Sequence, residues 1–122
     1  MTTKIEDISL VDVVAEIRRL AAESPDYKYK RQGCVYVEED DTGNLVGSCI
    51  VGKALVNLGV EPQTLHYDMP SRIPGALNLL RRPVNDRERY WIDEVQYHQD
   101  LGYAWSESVA SADEEYPLEV QS

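Results

Sequence analysis

The sequence predicts an α+β fold in which a short two-stranded β-hairpin packs with four to five helices, and the helices dominate. Three patterns carry this prediction: apolar residues at helical spacing over 10–21, a turn-rich stretch at 40–44 between strand formers, and a tryptophan-bearing helix at 86–101. A length of 122 residues fits one domain. We expect a single globular domain at 1–112 and a flexible acidic tail at 113–122.

The first predicted helix has one apolar stripe and recognisable ends. The stripe repeats at intervals of three and four residues and comprises Leu10, Val13, Val14, Ile17, Leu20 and Ala21. Ser9 stands at the N-cap position, and Asp12 can return a hydrogen bond to it. Ser24-Pro25 ends the helix, because a residue before proline avoids helical angles.

The hairpin and the next two helices follow from strand formers, turn residues and caps. Strand formers precede the turn at 40–44, and Leu45-Val46 begins the return strand. Ser48 is placed to cap a second helix that ends at Gly59. A short third helix is predicted around 73–80.

The last two predicted helices lie in the C-terminal third. The fourth runs from about Asp86 to Leu101, and one of its faces carries Trp91, Ile92, Val95 and Gln99. Gly102 ends it as the residue after the cap. Ser106 is placed to cap the last short helix, which contains residues 109–112.

Two cysteines leave two readings open. If the hairpin pairs Glu38 with Leu45, the same register places Cys34 opposite Cys49, and a disulfide between them is conceivable. In a reducing cytosol the pair would instead be two small buried hydrophobes, and this reading is preferred.

No metal or cofactor is expected. The soft ligands Cys34, Cys49, His66 and His98 lack the close pairing that structural zinc sites show. The acidic loop at 40–44 lacks the glutamate that a calcium-binding EF-hand needs at its twelfth position. The glycines form neither a dinucleotide fingerprint nor a phosphate-binding loop. His98 and Cys49 could form a catalytic pair only in a shared pocket, so a small enzyme is the weakest of the open functions.

The charge is concentrated at the C-terminal end. The chain carries 12 basic and 22 acidic side chains, a net charge of −10. Residues 83–122 hold 2 of the basic and 10 of the acidic side chains, a net charge of −8. Such acidity repels nucleic acid and anionic membranes and attracts basic protein surfaces. Arginines at 72, 81, 82, 87 and 89 form a basic cluster, but acids alternate with it, so salt bridges explain it better than nucleic-acid binding.

An interaction surface is predicted on and after the fourth helix. More aromatic side chains lie there than one core needs, and Trp and Tyr are enriched at binding hot spots. The candidate residues, which include two neighbouring carboxylates, are Tyr90, Asp93, Glu94, Tyr97, Tyr103 and Trp105. The alternative is that Trp91 and Trp105 are core anchors.

Two stretches carry a resemblance. Residues 48–60, SCIVGKALVNLGV, and residues 91–109, WIDEVQYHQDLGYAWSESV, are similar to small uncharacterised proteins of actinobacterial phages and their hosts. The resemblance transfers no catalytic residue. It implies a phage accessory protein working in the cytoplasm of a bacterial host.

These observations lead to one preferred function and two alternatives. The preferred function is protein–protein interaction, including modulation of a host protein, with a protein partner or a second copy bound at the acidic and aromatic surface. One alternative is an acidic nucleic-acid mimic that occupies a DNA-binding protein, and the other is a small enzyme. We expect a cytoplasmic location, because the longest apolar stretches are too short to span a bilayer and the N-terminus has no signal-peptide pattern.

Overall fold

The computed structural model describes residues 8–29, 37–63, 65 and 86–118. These residues form four helices, α1 (Leu10–Glu23), α2 (Ile50–Asn57), α3 (Asp86–Asp100) and α4 (Trp105–Glu115), and two strands, β1 (Val37–Glu39) and β2 (Leu45–Gly47). The strands pair antiparallel in one sheet. The fold is therefore helix-dominated with one hairpin, as predicted. The helix predicted around 73–80 lies outside the described residues and stays a prediction.

Helix α1 buries the six residues of its predicted apolar stripe and no others. Its N-cap is Ser9, as predicted, and the Ser9 carbonyl accepts the first helical hydrogen bond from Val13 at 3.0 Å. The Ser9 side chain, however, makes no capping hydrogen bond. Burial of the stripe therefore accounts for this helix better than its cap does.

The hairpin register differs by one residue from the symmetric pairing considered above. Glu38 pairs with Val46, and Glu39 pairs with Leu45. Asp40 N–H donates to the Asn44 carbonyl at 2.8 Å, so three residues form the loop, and Gly43 adopts a φ of 86°. A loop with an odd number of residues, closed by a glycine in the left-handed region, shifts the pairing by one. The premise that placed Cys34 opposite Cys49 was wrong, and Cys34 itself lies outside the described residues.

Helix α2 is capped by Cys49 and not by Ser48. The Cys49 sulfur accepts from the Gly52 N–H at 3.4 Å. Ser48 is buried, donates a hydrogen bond to the Glu38 carboxylate and lies 3.0 Å from the Tyr29 hydroxyl. The Ser48 hydroxyl bonds to the hairpin instead of to the helix, and the cap lies one residue later, at Cys49.

Both glycine-terminated helices end as predicted. After α2, Gly59 N–H donates to the Val56 carbonyl and Val60 N–H to the Leu55 carbonyl, each at 3.0 Å. After α3, Gly102 and Tyr103 repeat this pair of bonds. This is the Schellman pattern, which satisfies two carbonyls at a helix end.

Helix α4 begins two residues earlier than its predicted cap at Ser106 implied, and it ends later than predicted. Its N-cap is Ala104, whose N–H donates to the Glu107 carboxylate at 3.0 Å, while Ser106 lies inside the helix and donates to the Pro25 carbonyl at 2.8 Å. The helix continues to Glu115, so the predicted tail boundary at residue 113 lies inside a helix.

The core lies between α1, α2, α3 and α4. Most of its largest fully buried side chains come from three helices, and these include Ile17, Ile50, Leu55, Trp91 and Ile92. The most extensive helix pair is α3 with α4. One face of α3 is therefore committed to the core, and the opposite face is left to solvent.

Candidate functional interface

Helix α3 presents two distinct faces. Its inner face is buried and consists of Trp91, Ile92, Val95, Gln96 and Gln99. Since residues three and four apart share one side of an α-helix, the residues between these positions project outward. Helix α3 is thus amphipathic, with one buried side and one side exposed to solvent.

The outer face of α3 is aromatic where a solvated helix would normally be polar. We define this outer face as Tyr90, Glu94 and Tyr97 of α3, together with Leu101 and Tyr103 just after the helix. Tyr90, Tyr97 and Leu101 are 51%, 59% and 57% exposed, and Tyr103 is also exposed. Several large exposed side chains gathered on one side of a small domain are typical of an interaction site.

Contacts between aromatic rings hold several side chains of the outer face against their neighbours. The His98 ring lies edge-on to Tyr97 and to Tyr103, with centroid distances of 5.3 Å and 5.0 Å. The Tyr90 ring lies 5.5 Å from that of Tyr116, which follows α4. Rings held against neighbours lose less conformational entropy when a partner binds.

The two predicted carboxylates of the surface lie in different environments. Glu94 Oε2 is 3.4 Å from His98 Nδ1, which also lies 3.0 Å from the Glu94 carbonyl. Asp93 is half-buried, and burial raises its pKa to about 6, with Glu94 adding to the rise and Arg89 opposing it. Glu94 therefore belongs to the outer face, whereas Asp93 lies at its edge.

Trp105 does not belong to the exposed surface, contrary to its place among the predicted residues. It is only 3% exposed, its indole N–H donates to Gln99 Oε1 at 3.3 Å, and its ring lies 4.6 Å from Tyr27. It begins α4 on the side that packs on α3, so it anchors the core. Trp91 and Trp105 are both buried, so the alternative interpretation, that the two tryptophans are core anchors, is the correct one.

Leu101 and Tyr116 were missed by the sequence interpretation. Leu101 lies four residues after Tyr97 and eleven after Tyr90, so helical spacing alone could have placed it on the same face. Tyr116 comes next to Tyr90 only through the packing of α4 on α3, which no local pattern records.

Of the residues considered for catalysis or metal binding, the described ones, Cys49 and His98, lie apart from each other. Cys49 is fully buried as the cap of α2, whereas His98 lies among the tyrosines of the outer face. Among the described residues no group of three His, Cys, Asp or Glu side chains is arranged to hold a metal ion. Cys34 and His66 lie outside the described residues.

Of the five arginines in the predicted basic cluster, two lie in the described part of the chain. Arg87 donates to the Pro117 carbonyl at 3.1 Å, and Arg89 acts on Asp93 electrostatically. Arg72, Arg81 and Arg82 lie outside the described residues. Arg87 thus bonds a backbone carbonyl and Arg89 interacts electrostatically with Asp93, while the predicted salt-bridge network stays a prediction.

The chain has no significant match among protein-family models, curated proteins or solved structures. In the part of the chain that the structure describes, every helix is too short or too polar to cross a bilayer.

Proposed function

We propose that this chain is a small accessory protein that binds another protein through the outer face of α3. The single observation that supports this most strongly is the row of three large exposed side chains, Tyr90 and Tyr97 on one side of α3 and Leu101 directly after its end. Tyrosine is among the residues that contribute most energy at protein interfaces, because it buries a large ring at little entropic cost.

The net charge of the chain indicates that its partner is a basic protein. With a net charge of −10, two copies of this chain repel each other, whereas a basic protein surface is attracted. Glu94 places one carboxylate within the aromatic row. We therefore propose a partner that offers apolar side chains beside at least one lysine or arginine.

The paired state of several carboxylates favours this function over a nucleic-acid mimic. A mimic needs a continuous row of free carboxylates. Here Glu16 is paired with Arg19 at 2.6 Å and Asp113 with Arg18 at 2.7 Å. The charge at these positions is partly neutralised within the chain.

The setting that we propose is the cytoplasm of a bacterial host. This follows from the resemblance of residues 48–60 and 91–109 to proteins of actinobacterial phages, which also implies that the bound partner is a host protein whose activity is modulated. A fifth helix at 73–80 would complete the domain that carries the interface.

Affinity capture with matched variants tests the proposal. The tagged chain, the double variant Tyr97→Ser/Leu101→Ser and the control Val11→Ser are compared in a lysate of an actinobacterial host. Val11 is 60% exposed on α1, so the control removes an equally exposed apolar side chain from another helix. We expect wild type and control to retain the same basic protein, and the double variant to lose it.

Purified components then give the deciding measurement. The captured protein is titrated against all three forms by calorimetry, after circular dichroism has shown that each variant is folded. Equal affinity for the wild type and the double variant would overturn the proposal.

A further inference from the structure

Four residues on the outer face of α3 follow the spacing of a helix–helix seam. Tyr90, Glu94, Tyr97 and Leu101 are separated by four, three and four residues. This is the alternation of d and a positions in a heptad, which keeps side chains on one line along the helix. At 100° per residue the four positions fall within about 60° of arc and extend over roughly 16 Å.

The seam suits an opposing helix better than an extended segment. Side chains arranged in a line along a helix form knobs and holes that accept the side chains of a second helix at a shallow angle. Three of the four knobs are exposed, so none of these three is already covered by α1, α2 or α4. From this geometry we infer that the outer face of α3 docks an amphipathic helix of a basic partner protein.

Glu94 sets the register of that helix. It is the one acidic residue in the seam, at an a position between two tyrosines, and its carboxyl group lies beside His98. A charged or polar group at a single a position specifies register, because any other alignment would place it against apolar side chains. The partner helix therefore carries a lysine or arginine at the position that faces Glu94.

The partner is a different protein and not a second copy. Helix α3 carries five acidic and two basic side chains, and α4 carries four acidic and no basic ones. Two such surfaces brought together repel, and neither offers a cation to Glu94 from within its own seam. The seam spans only two heptads, so we expect a transient complex with micromolar affinity.

A designed peptide tests this inference, which rests on the proposed protein-binding function. The peptide has three heptads with Leu at a and d, a central a-position Lys, and Lys at e and g, so that its copies repel each other. We expect it to bind the wild-type chain and the Val11→Ser control alike. We expect Tyr97→Ser and Leu101→Ser each to weaken binding by about tenfold or more.

Two comparisons separate a docked helix from general attraction between opposite charges. A peptide of the same composition with its leucines scattered around the helix should bind at least about tenfold more weakly. Exchanging the central peptide Lys for Glu should weaken binding to wild type, and the variant Glu94→Lys should restore it. A scattered peptide that binds equally well, or a charge exchange without rescue, would overturn the inference.

The outcomes distinguish this inference from the proposed function. If the captured host protein requires Tyr97 and Leu101 but the patterned and scattered peptides bind alike, the interface stands and the helical partner is wrong. If neither the host protein nor the peptide depends on these residues, both proposals fail. Dimerisation of the chain at micromolar concentration, abolished by Tyr97→Ser, would show that a second copy is the occupant and would also overturn the inference.

Discussion

At the scale of single residues, two aspartates near the interface have opposite environments. Asp93 is half-buried, and its Oδ1 atom has no hydrogen-bond partner within the part of the chain that the structure describes. Asp113 accepts two hydrogen bonds from Arg18, at 2.7 Å and 3.0 Å, and one from the Trp91 indole at 2.8 Å. Burial raises the pKa of Asp93 to about 6, whereas the Arg18 guanidinium lowers that of Asp113 despite partial burial.

The two pKa shifts predict opposite effects of pH on stability. Between its ordinary pKa of 3.8 and about 6, Asp93 binds more protons in the folded state than in the unfolded one. Its contribution to the free energy of unfolding therefore decreases as pH rises through that window. The contribution of Asp113 is present above its ordinary pKa and is lost as pH falls.

We predict that Asp93→Asn makes the protein more stable than wild type at pH 7 and that this gain shrinks towards pH 4. The asparagine is neutral at every pH, so it removes the cost of holding a buried charge above pH 6. Urea denaturation followed by the fluorescence of the buried Trp91 and Trp105 measures the difference. A gain that stays constant with pH, or a loss at pH 7, would contradict the assignment.

Asp113→Asn is the matched comparison. It should cost about 1 kcal/mol at pH 7, because it removes an ion pair that is partly exposed to solvent together with its charge-assisted bond to Trp91. That cost should vanish as the pH is lowered below the ordinary pKa of the aspartate.

At the scale of elements, the hairpin approaches helix α2 very closely. A Cβ atom built on Gly47 would lie 2.6 Å from the Cα atom of Lys53, which is backbone and cannot move aside cheaply. The end of β2 is therefore held against the first turn of α2. The chain passes from β2 to α2 within three residues, and the glycine permits this close approach.

We predict that Gly47→Ala destabilises the protein by about 1–3 kcal/mol, the usual range for an added carbon atom in a packed contact. The measurement is the urea midpoint, with Val46→Ala as the control because Val46 is the exposed neighbour on the same strand. If Gly47→Ala is as stable as wild type, the close approach is not present in solution.

Elements with a strong local signal could be predicted from the sequence. The apolar stripe of α1 predicted its six buried residues, and Gly59 and Gly102 predicted the helix ends, because these signals lie within one turn of the structure that they specify. The caps at Ser48 and Ser106 were wrong because each hydroxyl is engaged by a distant segment, the hairpin or Pro25. Such competition depends on tertiary packing, which single-sequence patterns do not contain.

The residues of the candidate site were also predicted only in part. Tyr90, Tyr97 and Tyr103 are exposed, as the surplus of aromatic residues around this helix indicated. Trp105 was misplaced, because aromatic content alone does not separate an interface anchor from a core anchor. The role of Gln99 could not be foreseen, since its Oε1 accepts from the Ile50 N–H at 2.7 Å and so ties α3 to the start of a helix far away in sequence.

At the scale of the whole molecule, charge and architecture act together. Helices α1, α2 and α4 enclose the inner face of α3, which leaves the outer face of α3 available on a strongly acidic chain. Long-range attraction would bring a basic partner to the chain, and the tyrosines would then provide the short-range affinity. Added salt should therefore slow association more than it speeds dissociation.

The central claim is that the outer face of α3 is a protein-binding surface, and site-specific crosslinking in living cells tests it most directly. A photoreactive amino acid replaces Tyr97 in one form of the chain and the equally exposed Val11 in the other. We predict a discrete adduct with one basic protein from position 97, lost when Leu101→Ser is added, and no such adduct from position 11. Absence of an adduct at position 97, or the same adducts from both positions, would contradict the claim.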